Sequence, residues 1–166
     1  MAFKIGDKVV HPRHGLGRIT HLSIKQMEQG SKRAYYEISF PSSTLWVPLA
    51  LTTSGLRKLT VKAEIKNCRR VLSAAPMQLN PDPRLRQSDL VAHLKEGTLR
   101  AHCEVVRDLT AYGWQNTLGE ALSSFLFATQ EVLCQEWAAV EGVTIEEAAD
   151  EIDTLIEEGK SVVHHE

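Results

Sequence analysis

The sequence predicts an α+β protein, with a small, strongly bent β-barrel at the N-terminus and an all-helical domain after it. Three observations carry this prediction. The first eighteen residues read as strand, turn and strand: Gly6-Asp7 before Lys8-Val9-Val10, then Pro12-x-x-Gly15-x-Gly17. Apolar residues alternate as in sheet through the next forty or so positions. From Leu59 the apolar period becomes helical. Small barrels of this kind are most often docking modules, so a binding protein is expected before any catalytic group is sought.

The expected strands cover residues 8–10, 17–24, 34–40 and 45–48. Tyr35-Tyr36-Glu37-Ile38-Ser39-Phe40 is rich in aromatic and β-branched residues, which suit a half-buried pleated surface. Residues 26–33, containing Gly30, read as a polar hairpin loop, and Pro41-Ser42-Ser43-Thr44 as a second turn. Pro41 cannot continue a central strand, and Val47-Pro48 marks a strand ending at a sheet edge. Four or five strands over about 60 residues leave little core of their own.

Val61, Ile65, Cys68, Val71 and Leu72 share one stripe, which predicts a helix to about Ala74. Residues 75–83 (APMQLNPDP) are the linker, with three prolines. Asp82 can N-cap the next helix, with Pro83 at its first position. Leu90, Val91 and Leu94 continue that helix to a C-cap at Gly97. A third helix is expected over 99–112, ended by Gly113. Thr117-Leu-Gly-Glu120 is a possible capping box for a long fourth helix closed by Gly142. Thr144-Ile-Glu-Glu147 opens a fifth, with Ala148, Ile152, Leu155 and Ile156 inward and Gly159 as its end. The domain reading is therefore 1–60 for the β-domain, 61–74 for a connecting helix, 75–83 for the linker, 84–159 for the helical domain and 160–166 for a frayed tail.

The 166 residues are 43% hydrophobic and 24% charged, as in soluble globular proteins. No apolar run approaches the ~18 residues of a membrane helix, and no signal peptide is visible, so a cytoplasmic protein without a membrane partner is expected. Cys68, Cys103 and Cys134 form neither a CxxC pair nor a disulfide framework, which fits a reducing compartment. The net charge of −2 hides an asymmetry: +7 over residues 1–62, +2 over 63–112 and −11 over 113–166. A basic half with an acidic end suits a nucleic-acid-associated protein; ordinary solvated faces explain it equally well.

Little here can carry catalysis. His11-Pro-Arg-His14 lacks further ligands at workable spacing for zinc, with only His21 nearby, so no metal site is expected. His164-His165 lie in the tail. Gly15-x-Gly17 is a tight turn between strands and lacks the Lys-Ser/Thr of a phosphate loop. No nucleophile elbow or triad stands out. The acids of 146–158 are at helical spacing and read as a solvated face. Neither an enzyme nor a cofactor is expected.

Trp137 falls on the apolar stripe of the long helix. Trp114 follows Gly113, in a loop on this reading, as a cap over helices or an exposed contact. Trp46 sits beside Val47-Pro48 on the expected edge strand, near Lys32, Arg33, Tyr35 and Tyr36. It is either a partner hot spot or part of the barrel's own core. Arg84, Arg86, Lys95, Arg100 and Arg107 fall on the second and third helices, and Lys66, Arg69 and Arg70 on the one before. They offer a backbone-contact surface for DNA or are simply solvated. Arg84 and Arg86 lie in a helix first turn, where backbone N–H groups can also face a phosphate.

Phe3-Lys-Ile-Gly-Asp-Lys-Val-Val-His-Pro-x-His-Gly-x-Gly17, the Tyr35-Tyr36 strand, Val47-Pro48 and Gly55-Leu-Arg57 resemble the CarD/CdnL family of bacterial transcription regulators. So do Leu94-Lys-Glu-Gly97, Glu104-Val-Val-Arg-Asp-Leu109 and the late acidic Thr-x-Glu-Glu helix. The resemblance covers about residues 2–158. Its N-terminal motif also occurs in transcription-repair coupling factors, from which the helical half and the lack of a helicase separate this chain.

The resemblance implies a Tudor-like N-terminal domain that binds the RNA polymerase β subunit by adding its sheet edge to a β-subunit lobe. The implied contacts are Lys25, Arg33, Tyr36, Leu45, Trp46, Val47 and Pro48. It implies a helical domain that touches promoter DNA at the upstream edge of the bubble and stabilises the open complex, through Arg84, Leu85, Arg86, Lys95 and Arg100. A monomer is expected. Many members place a Trp wedge at the start of this helix, where Pro83 stands here; Leu85 is a smaller apolar candidate. Trp46 departs too, since some relatives carry a basic residue there. Alternative readings are an adaptor that docks a partner without aiding melting and, from a different class, an enzyme joining His11, His14 or His21 to carboxylates.

Overall fold

The computed structural model describes residues 3–26, 28, 30–49 and 55–163. Its contacts divide the chain after Leu59 into a β unit and a helical unit.

The β unit is one antiparallel sheet of β1 (Lys8–His11), β2 (Gly15–Gln26), β3 (Lys32–Ser39), β4 (Thr44–Pro48) and β5 (Arg57–Lys58), in the order β4-β3-β2-β1-β5. The expected strands are present and longer than the alternation suggested. The loop expected over 26–33 shrinks, because β2 and β3 stay paired from Arg18↔Ser39 out to Gln26↔Lys32. Among the described residues the barrel does not close. β4 and β5 remain the two edges, and β5 pairs with β1 at only two positions, Val9↔Lys58 and Val10↔Arg57. Two residues are too few to wrap the sheet back onto β4.

The core of this unit is Val9, Ile19, Tyr36, Ile38, Phe40 and Val47, with Phe3, Leu45 and Leu56 against it. Gly17 lets two elements touch: a Cβ there would lie 2.6 Å from Phe40 Cε1 and 2.9 Å from Ile38 Cγ2. The turn before it needs Gly15 at φ +73°, a left-handed conformation that side chains disfavour. A register shift between Ile19 and His21 reverses which residues of β2 face inward. Beyond it Leu22 and Ile24 lie on the inner face past the end of the core, and both are exposed.

The helical unit holds α1 (Lys62–Ser73), α2 (Pro83–Leu94), α3 (Leu99–Gln115), α4 (Glu120–Glu141) and α5 (Ile145–Val163). The helix expected as a connector is built into this core: Ile65, Cys68 and Leu72 pack with Cys103, Val106, Leu133, Trp137, Ile152 and Ile156. Asp82 caps α2 as expected, accepting from the Arg84 N–H at 2.9 Å. Gly142 closes α4 in the left-handed conformation, φ +70°. Thr144 Oγ1 accepts from the Glu147 N–H at 3.0 Å.

Three expectations fail. Gly113 does not end α3, which runs to Gln115 and so places Trp114 inside the helix. Thr117 makes no capping box; Gly119 is the N-cap of α4 and has no side chain to cap with. Gly159 does not end α5. It lies within the helix where α5 crosses the end of α1, and a Cβ there would be 2.6 Å from the Ala74 carbonyl oxygen. Helical Lys160–Val163 therefore replaces the first part of the expected frayed tail, while His164 and His165 fall outside the described residues.

Candidate functional site

Two places combine exposure with ordered chemistry: the outer edge of β4 and the start of α2.

On β4 the register with β3 decides which backbone groups face out. The Leu49 N–H donates to Ala34 O, and the Phe40 N–H to Ser43 O. In an antiparallel pair the bonded positions alternate, so residues 43, 45, 47 and 49 face β3. Thr44 and Trp46 then turn their N–H and C=O groups outward, and Pro48 its carbonyl. Proline at that position costs the ladder nothing, as an edge strand allows.

Trp46 is 44% exposed, which removes the reading that it lies in the domain's own core. The Lys25 Nζ sits 4.1 Å from its ring centre, holding the ring against the outer face. Lys25 in turn stands directly opposite Arg33, and like charges so paired repel one another. Glu37 lies opposite Trp46 and meets His21 at 3.5 Å. The outer face at this edge is thus an aromatic flanked by two crowded cations.

Two of the expected contacts are corrected. Tyr36 and Val47 point into the core and are buried, and the Tyr36 hydroxyl accepts from the Phe3 N–H at 3.1 Å. Strand alternation puts them on the face opposite Trp46. Leu45 is half-buried against the same core. Lys25, Arg33, Trp46 and Pro48 share the outer face.

At the start of α2, Arg84 and Leu85 are exposed, Leu85 by 52%. Arg86 is tied down: Nε donates to Asn80 O at 3.0 Å, Nη2 to Pro81 O at 3.1 Å, and the guanidinium lies 4.7 Å from the Tyr112 ring centre. The expected phosphate seat at this helix end is filled by the Asp82 carboxylate, itself an anion. Lys95 is exposed at the other end of α2, about 17 Å along the axis. Arg100 begins α3 and pairs with Glu104 at 3.1 Å.

Arg107 and Arg69 leave the candidate surface. Arg107 is buried, bonded to Asp108 at 2.8 Å and to Val71 O at 2.9 Å. Arg69 bridges Glu141 and Glu151 at 2.8 and 2.5 Å, and these carboxylates hold its guanidinium above the ordinary arginine range. Sequence shows a cation but not whether a carboxylate is folded against it.

No group of three or more His, Cys, Asp or Glu residues among those described could hold a metal. His11 Nδ1 instead accepts from the backbone N–H groups of Arg13 and His14 at 3.1 and 3.3 Å, fixing the turn. Burial, then His14 and Arg13, lower its affinity for a proton. The cysteines belong to the helical core. Burial pushes the Cys134 thiol up to about 11, and Cys68 and Cys103 are buried in the same cluster. Among the described residues no helix is long and apolar enough to cross a membrane.

Residues 3–60 match the family described as CarD-like/TRCF RID domain, and residues 68–153 match CarD, C-terminal domain. The chain belongs to the CarD family. Members of the CarD family are transcription factors, and both of its characteristic halves are present here in order. Among its relatives, the chain is 26% identical over 145 residues to YdeB of Bacillus subtilis (strain 168), whose name proposes a transcription factor. That match spans 86% of this chain and 94% of YdeB. Within the CarD family match, the β4 edge falls in the first segment and the start of α2 in the second.

Proposed function

We propose that this chain acts on transcription by docking the outer edge of β4 on the RNA polymerase β subunit. From there the start of α2 contacts promoter DNA at the upstream edge of the bubble and prolongs the open complex. One observation carries the reading: the unpaired β4 edge offers the backbone groups of Thr44, Trp46 and Pro48 beside an exposed, cation-held Trp46. An open edge recruits a partner strand, and the aromatic supplies a desolvated anchor. The crowded cations Lys25 and Arg33 favour a partner strand flanked by acids. Arg84, Leu85, Lys95 and Arg100 are the proposed DNA contacts, with Arg86 as support for them. No catalytic step enters this reading.

The test is capture of the isolated polymerase β lobe by the full chain. Capture that is lost on replacing Trp46 and Pro48 together by Ala supports the reading. Capture that survives the double substitution removes the Trp46 ring as the anchor, and no capture by the native chain removes the function.

One observation favours a second reading, an adaptor on polymerase that does little to melt DNA. Pro83 stands at the first position of α2, where many relatives carry the wedge Trp, and Asp82 occupies the helix end. An open-complex lifetime unaffected by the chain, alongside intact capture, would select it.

A further inference from the structure

Beside the start of α2 lies an open groove of about 460 Å³, within the ~300–1,000 Å³ of small-ligand sites. The stretch ahead of α2, the end of α3 and Lys160 of α5 wall it. Two aromatic rings line it, and each carries a cation. Arg86 lies over Tyr112 at 4.7 Å, and the Lys160 Nζ over Trp114 at 4.8 Å. The single acid of the lining, Asp108, is already engaged by Arg107 at 2.8 Å and by the Met77 N–H at 2.9 Å. The groove is therefore aromatic and net cationic.

Arg86 is the distinctive part. Its hydrogen bonds to Asn80 and Pro81 lie in the guanidinium plane, and Tyr112 backs one face. A guanidinium fixed in this way presents its second face as a stacking platform, on which a nucleobase lies as it does on an aromatic ring. The exposed Met77 side chain adds a polarizable wall, and Lys160 supplies a positive charge for a phosphate.

We propose that this groove holds one unpaired nucleotide of a DNA strand, with its base on the Arg86 plane and its phosphate at the Lys160 ammonium. The proposal rests on the reading that the start of α2 faces DNA, and it names what the adjoining groove takes from it. Such a pocket captures a base released from the duplex and needs no aromatic wedge on α2.

The test uses the full chain carrying Trp46→Phe, so that Trp114 reports on the groove while Trp137 stays in the core. It is titrated at fixed salt with an oligo-dT of about 12 nucleotides, a duplex of the same length and thymidine monophosphate. The strand is expected to quench Trp114 and to bind about tenfold more tightly than either the duplex or the mononucleotide. Lys160→Gln should lower strand affinity about tenfold and leave the duplex within about twofold. Arg86→Lys, which keeps the charge and loses the plane, should also weaken the strand, with thermal unfolding checking that it folds. Equal binding of strand and duplex, or strand affinity unmoved by Lys160→Gln, overturns the proposal. Mononucleotide binding as tight as the strand overturns the assignment to a strand. The DNA-facing reading fails separately, if Arg84→Ala leaves strand and duplex affinities both unchanged.

Discussion

Thr60 gives both its backbone N–H and its hydroxyl to one carboxylate oxygen of Glu136, at 3.0 and 2.5 Å. Glu136 is 1% exposed, on α4, while Thr60 is the residue at which the helical unit begins. The carboxylate thus pins the approach to α1, a helix whose N-cap Val61 brings no side-chain cap. A buried carboxylate needs such donors, and the donors lose their acceptor if it goes. Glu136→Ala should cost about 2–3 kcal/mol in urea unfolding, and Glu136→Gln, which keeps an acceptor, about 1 kcal/mol. A Glu136→Ala protein as stable as the native chain would show that the bond does not hold α1.

Two glycines within helices should respond to alanine with opposite signs. At Gly113 the new Cβ meets only Leu118 at 3.4 Å, an ordinary contact. Gly113→Ala should therefore gain up to about 1 kcal/mol from helix propensity. At Gly159 the Cβ would lie 2.6 Å from a backbone carbonyl that cannot move aside without shifting α1. Gly159→Ala should lose about 1–3 kcal/mol despite the same propensity gain. Thermal unfolding of the two variants side by side decides it; a stabilised Gly159→Ala would mean that α1 and α5 are further apart.

These glycines also show what the sequence conveyed and what it hid. By local pattern both mark helix ends, because glycine breaks a helix where nothing else is known. The close approach of α5 to Ala74 involves residues 85 positions apart, which no local pattern reports. The same limit applies to the candidate site. Val47-Pro48 signalled an edge because proline lacks a donor, and Asp82-Pro83 signalled a helix start. Both signals are local chemistry. The loss of Arg69 and Arg107 to internal partners depends on long-range packing, and the inward turn of Leu22 and Ile24 on a sheet shift at Thr20 that simple alternation does not reveal.

His11 makes the β unit sensitive to acid. Its proton affinity is lowered on folding by burial, then by His14 and Arg13, from an ordinary 6.5. The unfolded chain therefore binds the proton first. Stability is full above pH 6.5 and is lost as pH falls through the lower folded value. Protonation also removes the Nδ1 lone pair that accepts from Arg13 and His14. His11→Asn keeps an acceptor near that position and cannot titrate. Its urea midpoint should fall less than that of the native chain between about pH 7.5 and 5.5. Equal slopes for the two proteins would remove His11 as the source.

Trp46→Pro separates the backbone of the edge from its side chain. The Trp46 N–H faces away from β3, so proline there deletes an outward donor while leaving the β3 ladder its bonds. Trp46→Phe keeps that donor and most of the apolar surface. If strand addition carries docking, Trp46→Pro should abolish capture of the β lobe, whereas Trp46→Phe weakens it by about tenfold or less. The reverse order would make the ring, and not the edge, the determinant.

Leu85 tests the wedge directly. It is exposed in the first turn of α2, one residue from Arg84 and two from Pro83. An aliphatic side chain inserted at a base step unstacks it at a cost of a few kcal/mol, which larger contact area offsets. If Leu85 inserts, Leu85→Ala should shorten the open-complex lifetime several-fold. Leu85→Trp, with more surface to stack, should lengthen it. Both changes lie on an exposed position, so stability should move by less than about 0.5 kcal/mol and the lifetime reads insertion alone. Lifetimes unchanged in both variants would place the upstream contact on Arg84 and the Arg86 groove, with no apolar insertion by this helix.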